Sequence, residues 1–219
     1  MPRGAVPVGV DMTQTSLATP VRLDDAALDV LFAGASTTNT FTADPVDVAV
    51  VRRAYENLRW APTAMNTQPL RLTLLTTRAG REAMTAHLAP GNQDKTLAAP
   101  LTIVAAYDPA FHEHLPHLAP FREGMREQFE PMAEMREGMA RTNGLIQLGY
   151  LILALRAEGL HVGPIGGMDT DGVDAELHAA NGWRTLAVVN VGHSPDPDDE
   201  HAQFPRAGRL EFDQVAVVR

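Results

Sequence analysis

The 219-residue chain has no cysteine, which excludes disulfides, thiolate nucleophiles and thiolate metal sites and suits a cytoplasmic protein. Basic residues are in deficit: 18 Lys and Arg stand against 27 Asp and Glu, a formal net charge of -9. A surface of that sign argues against nucleic acid or membrane as the main partner. An anionic small-molecule substrate stays allowed, because it answers to local charge in a cleft. No apolar run is long enough to span a bilayer. The first twenty residues lack the basic start and continuous apolar block of a secretory signal. Internal repeats, low-complexity blocks and a dinucleotide-binding glycine fingerprint are also missing. What is present is 45% hydrophobic content, enough for one substantial core. The expected organisation is a poorly ordered extension over 1–20 and a single domain over 21–219.

Periodicity predicts a first helix over 23–34, with Leu23, Ala27, Val30 and Leu31 on one face. Asp44-Pro45-Val46-Asp47 predicts a helix start, with Asp44 as cap and Pro45 at the first position. The stripe Val48, Val51, Tyr55 and Leu58 then runs to the stop at Pro62. Strands are expected over 70–76, 101–106 and 185–191, and helices over 78–88, 139–158 and 171–180. Gly159 closes the long helix. Its middle, 145–155, is apolar nearly all round, which fits burial in a core or in a subunit interface equally. Residues 108–131 are the least regular and read as a mobile cover over a site. Residues 194–200 form an acidic loop, and the tail 210–218 has some strand character. Strands separated by helices without a βαβ rhythm give the α+β class.

Two segments carry the chemistry. In Trp60-Ala61-Pro62-Thr63-Ala64-Met65-Asn66-Thr67-Gln68-Pro69, small side chains between two prolines let backbone amides and an Asn approach a flat polar ligand. In Gly91-Asn92-Gln93-Asp94-Lys95-Thr96-Leu97-Ala98-Ala99-Pro100, Asn92 and Lys95 share one face if the segment is helical. Further anchors are Ala35-Ser36-Thr37-Thr38-Asn39-Thr40-Phe41, Gly159-Leu160-His161-Val162-Gly163-Pro164-Ile165-Gly166-Gly167 and Phe204-Pro205-Arg206-Ala207-Gly208-Arg209-Leu210.

In order and spacing these segments resemble the nitroreductase family of FMN-dependent oxidoreductases, most nearly its malonic semialdehyde reductase (3-hydroxypropionate dehydrogenase) branch. The resemblance runs from residue 28 to the C-terminus. It implies a nitroreductase-like fold, with a central mixed β-sheet flanked by helices, in an intertwined homodimer carrying two FMN sites. Reduced flavin is electron-rich at its pyrimidine edge, where the resemblance places Asn92 and Lys95. It places Pro62, Thr63, Ala64 and Asn66 against the FMN bound mainly by the other subunit. Pro164, Ile165, Gly166 and Gly167 match the loop over the flavin's reactive face, and Arg206 and Arg209 match the pair on its phosphate.

The chain departs from the family where an Arg usually occupies the position of Ser36 and a basic residue often occupies that of Thr40. Ser36, Thr38 and Thr40 offer hydroxyls instead, which predicts weaker FMN retention. The resemblance implies ping-pong transfer: NADH or NADPH reduces FMN, and an acceptor then occupies the same face. Phe41 is a candidate to stack at the site mouth. Arg122 and Arg141 are candidates to pair with an acceptor carboxylate.

The histidines of Phe111-His112-Glu113-His114-Leu115-Pro116-His117 are spaced two and three apart and interrupted by proline. That is not the spacing of a helical metal motif, so no metal is expected. Met125, Met132, Met135 and Met139 read as a helical packing stripe. The first expectation is thus a cytoplasmic, homodimeric NAD(P)H oxidoreductase for a small carbonyl such as malonic semialdehyde, or for a nitro or quinone acceptor. The alternatives are a flavin-dependent oxidase or dehydrogenase of specialised metabolism, and a member that has lost FMN and serves as a binding protein or flavin-free enzyme.

Overall fold

The computed structural model describes residue 19 and residues 21–195 and 205–219. The expected extension over 1–20, apart from Thr19, lies outside them, as do Phe204 and the end of the acidic loop.

The chain opens with α1 (Asp25–Leu28), capped by Asp24 and continued by one π turn over Asp29–Ala33. α2 (Val48–Leu58) follows. Its cap is Asp47, whose side chain accepts from Ala49 N, so the start lies three residues beyond the expected Asp44. β1 (Leu70–Leu75) leads through α3 (Arg78–Thr85) into α4 (Pro90–Ala98), which begins at a proline that has no amide to satisfy. After β2 (Leu101–Tyr107) comes a 3₁₀ turn over Phe111–His114, then α5 (Leu115–Leu118) and α6 (Met125–Phe129). α7 (Ala133–Ala157) is the long helix, and Gly159 follows it at φ +78. β3 (His161–Ile165), α8 (Thr170–Leu177) and β4 (Arg184–Gly192) complete the core. The tail forms a short helix, α9 (Phe212–Val215), rather than the strand expected there.

The sheet order is β1-β2-β4-β3, and every pairing is antiparallel. The mixed sheet implied by the resemblance is therefore corrected: among the described residues no two neighbouring strands pair in parallel. β2 is buried along its whole length because helices cover both faces. On one face Val51, Leu58, Leu151 and Leu155 of α2 and α7 pack on Leu101, Ile103 and Val189. On the other, Met84 and Val173 of α3 and α8 pack on Val104 and Val188.

One irregularity shapes the sheet's end. Ala105 pairs with Ala187 but Ala106 with Thr185, leaving Leu186 as the extra residue of a bulge in β4. Leu186 and Ala187 thus both pack on the α7 side, and Thr185 turns to the α8 side, where it bonds Asp174. Alternation beyond the bulge returns Arg184 toward Tyr107.

Candidate functional site

The cradle is built along β3. Thr38 N donates to Val162 O at 3.0 Å, so the segment 35–41 lies beside that strand almost as a further ribbon. A Cβ at Gly163 would collide with the Thr38 carbonyl oxygen, so glycine is required for this approach. Gly163, Pro164 and Ile165 are therefore strand residues, and only Gly166 and Gly167 form the exposed turn. α4 closes the opposite side. Asn92 Nδ2 donates to Gly167 O at 3.1 Å, and Lys95 Nζ lies 3.5 Å from Asn39 Oδ1. Arg206 Nη2 donates to Ala35 O at 3.3 Å. The fold thus brings together Ser36, Thr38, Thr40, Asn92, Lys95, Pro164, Ile165, Gly166, Gly167 and Arg206.

Two hydroxyls of this cradle, Thr38 Oγ1 and Thr40 Oγ1, are buried and have no hydrogen-bond partner. Buried polar groups are normally paired, so this couple stands out. A cavity of about 280 Å³ lies beside Ser36 and is also lined by Arg156 and His161. Arg156 Nη1 donates to Leu31 O at 2.9 Å, and burial lowers its pKa. Nothing in the sequence sets this arginine apart from other charges at a helix end. Arg209, by contrast, folds onto its own loop, donating to Ala207 O and Gly208 O.

The 62–68 loop lies at the other edge. β1 and β3 are the outer strands, so three inter-strand spacings, about 14 Å, separate this loop from the cradle. Within one chain Pro62, Thr63, Ala64 and Asn66 do not join Lys95. The loop is strained: Met65, Asn66 and Gln68 have φ of 57, 57 and 40, each a conformation costing about 1–3 kcal/mol. Its bonds compensate. Ala64 N donates to Asn143 Oδ1 at 2.7 Å, and Gln68 N to Thr63 Oγ1 at 3.2 Å. Asn66 Nδ2 donates to Leu118 O at 2.8 Å, and Leu70 N to Gln147 Oε1 at 3.0 Å. Asn143 and Gln147, four apart on α7 and buried, hold this loop and the start of β1. Sequence reasoning missed both, since they lie in a helix read for its apolar residues.

The model of the nitroreductase family matches residues 33–193. The chain belongs to the nitroreductase family. It is 44% identical over 194 residues to a Streptomyces coelicolor protein named as an NADH dehydrogenase/NAD(P)H nitroreductase, covering 89% of this chain and 94% of that one. A Leptothrix cholodnii protein of the same name is 41% identical over 196 residues, covering 90% and 98%. Among solved structures, an Exiguobacterium sibiricum nitroreductase in complex with FMN superposes with a TM-score of 0.75 at 16% identity, covering 92% of this chain and all of that one. A Staphylococcus epidermidis NAD(P)H:FMN oxidoreductase gives 0.73 at 16% identity, with 91% and 98% covered. At such identity the superpositions establish the nitroreductase fold.

Beyond the cradle of this nitroreductase-family chain, the sequence candidates for the acceptor separate. Phe41 is half-buried, with its ring beside Gly163 and Gly192. Arg122 is exposed, with its guanidinium over the ring of Phe121, and lines a small surface hollow with Glu123 and Arg126. Arg141 does line a cavity, of about 550 Å³, together with Gly166, Tyr107 and Arg184. Tyr107 donates its hydroxyl to Glu137 there, and burial, followed by that hydrogen bond, raises its pKa.

The histidine-rich stretch is helical rather than a loop. His112 Nε2 lies 2.8 Å from Glu130 and 3.8 Å from Glu113. Arg136 Nη1 lies 3.2 Å from His112 Nδ1, and Arg126 holds Glu113 at 2.7 Å. Two guanidinium groups, Arg126 and Arg136, already supply beside this trio the positive charge that a cation would bring. Instead of a loose cover, residues 108–131 are anchored by this network and by buried Phe111, Leu115 and Phe129.

Proposed function

We propose that the chain is an FMN-dependent NAD(P)H oxidoreductase that acts as a cytoplasmic homodimer on a small carbonyl, such as malonic semialdehyde, or on a nitro or quinone acceptor. The observation that carries this reading is the pair of unpartnered buried hydroxyls, Thr38 Oγ1 and Thr40 Oγ1, in one cradle with Lys95 and Asn92. Hydroxyl and ammonium donors suit a ligand rich in anionic and carbonyl oxygens, so the residues present fit FMN. Ser36, Thr38, Thr40 and Arg206 would hold its phosphate end, and Asn92, Lys95 and Pro164 to Gly167 its ring. When bound, FMN supplies two-electron hydride chemistry between NAD(P)H and the acceptor. The chain's contribution is to orient the ring, to place a cation beside its electron-rich edge and to keep water from its buried side.

Two features support the dimer. The strained 62–68 loop lies too far from its own chain's cradle to join it, and a second copy would bring the two together. Leu145, Ile146 and Tyr150 of α7, each 42% exposed, form an apolar stripe on the helix that crosses the core.

The test is purification followed by reconstitution with excess FMN and anaerobic titration with NADH and NADPH. Loss of the yellow absorbance on adding either nicotinamide is expected. A protein that takes up no flavin after reconstitution, or whose bound flavin neither nicotinamide bleaches, would sink the reading.

A further inference from the structure

The inner strand β4 carries one amide among valines. Its middle reads Val188, Val189, Asn190, Val191, and Asn190 is buried. A buried side-chain amide costs stability unless its polar atoms are bonded, and here both are. Thr102 Oγ1 donates to Asn190 Oδ1 at 2.9 Å, and Asn190 Nδ2 donates to Thr96 Oγ1 at 3.0 Å. Thr102 is its partner across β2, and Thr96 belongs to α4, the helix that carries Asn92 and Lys95. Both threonines are buried as well.

The contact matters because of what α4 lacks. A helix on a sheet is usually held by an apolar stripe, yet among the described residues of α4 only Thr96 is buried. Apolar packing tolerates small rotations of a helix, whereas a hydrogen bond between buried groups fixes direction. Thr96 stands next to Lys95 and one turn beyond Asn92, so holding it sets the rotation at which both leave the helix. Asn190 also pairs across the sheet with Gly163, the strand residue under the Thr38 carbonyl. One amide therefore references both walls of the cradle, the 35–41 segment through Gly163 and α4 through Thr96. Lys95 is the chain's only lysine, and its Nζ lies 3.5 Å from Asn39 Oδ1 across the cradle.

We propose that Asn190 is a positioning residue, which through Thr96 sets the rotation of α4 and so aims Lys95 at the electron-rich edge of the flavin. The assignment rests on the reading of the cradle as an FMN site. A cation held there favours the reduced, more negative form of the ring over the oxidised one, so its aim is read in the reduction potential. A merely structural amide would change stability and leave that potential where it is.

The experiment measures the two-electron potential of the reconstituted protein at saturating FMN against a reference dye. Asn190→Leu and Thr96→Val each remove the bond with little change of volume. Each is expected to lower the preference for reduced over oxidised FMN about tenfold, a shift of about 30 mV to more negative potential. Thr96→Ser keeps the hydroxyl and should retain the wild-type potential. Lys95→Ala should also lower the potential, and Asn190→Leu should add nothing in that background. An unchanged potential in either Asn190→Leu or Thr96→Val, or a shift from Asn190→Leu that persists without Lys95, would overturn the proposal. The flavin-free protein gives a second readout, because an amine-selective acylating reagent can label only Lys95 and the N-terminus. Mass spectrometry should find Lys95 labelled faster in Asn190→Leu than in wild type, and equal rates would count against the proposal as decisively. Wild type that takes up no flavin defeats the FMN reading, while the labelling still decides whether Asn190 aims α4.

Discussion

Thr38 and Thr40 show what one side chain can do when its neighbourhood leaves it unpaired. The resemblance implies a basic residue at Ser36 and often at Thr40, where this chain offers neutral hydroxyls, so Ser36→Arg should tighten FMN binding by about tenfold to a hundredfold, the value of a charge-assisted hydrogen bond. Lys95→Ala should weaken it by a similar factor. Quenching of flavin fluorescence on titration reads both. Tyr107 gives a prediction in pH. Its folded pKa lies above the ordinary phenol value of 10.0 because burial and the bond to Glu137 favour the protonated phenol. The unfolded chain therefore releases that proton first, and stability present below pH 10 is lost as pH rises beyond it. Tyr107→Phe should flatten this alkaline loss in urea titrations at successive pH values. The cradle residues on segments 36–40, 92–95 and 163–167 were legible because each stands in a motif with distinctive neighbours. Arg156, Asn143 and Gln147 were not, because a polar residue in a helix has the same sequence appearance whether it faces water or caps a strained loop.

At the scale of elements, α7 connects the parts. Its apolar residues cover the sheet, its two buried amides pin the 62–68 loop, and its stripe of Glu137, Arg141 and Leu145 faces the charged cavity. Asn143→Ala leaves Ala64 N without its acceptor and removes a restraint on three residues in left-handed conformations. A loss of about 1–3 kcal/mol in chemical denaturation is expected, with faster proteolysis near residue 65. The strands β1, β2 and β4 appear where the sequence puts them, whereas α2 starts three residues beyond the expected cap and α7 starts at Ala133, six residues before the expected 139. β3 was hidden because Gly163 and Pro164 read as turn formers, although at a sheet edge a proline costs no ladder bond and a glycine admits a neighbouring backbone. α9 was hidden because Val215, Val217 and Val218 suggest a strand, whereas a capping box between Glu211 and Gln214 winds one helical turn first.

For the whole molecule, the surface of one copy exposes a run of large apolar side chains: Leu210, Phe212, Val217 and Val218 in the tail, Val30 and Phe32 near the start, and the α7 stripe. Light scattering should give twice the chain mass. Asp substitutions at Ile146 and Tyr150 together should yield monomers that release FMN, since the site would lose the second copy's loop. The α+β class followed from the order of elements, but strand direction did not: a pattern of apolar runs is the same for parallel and antiparallel neighbours. The bulge at Leu186 has a consequence of its own. It acts as a one-residue phase change in β4, and deleting Leu186 would restore strict alternation. Ala187, Thr185 and Arg184 would keep Ala105, Ala106 and Tyr107 as their partners, so Thr185 would stay on Asp174 and Arg184 beside Tyr107. A single codon's removal would thus take one apolar side chain from the α7 side while leaving both the register and the charge of the chain untouched.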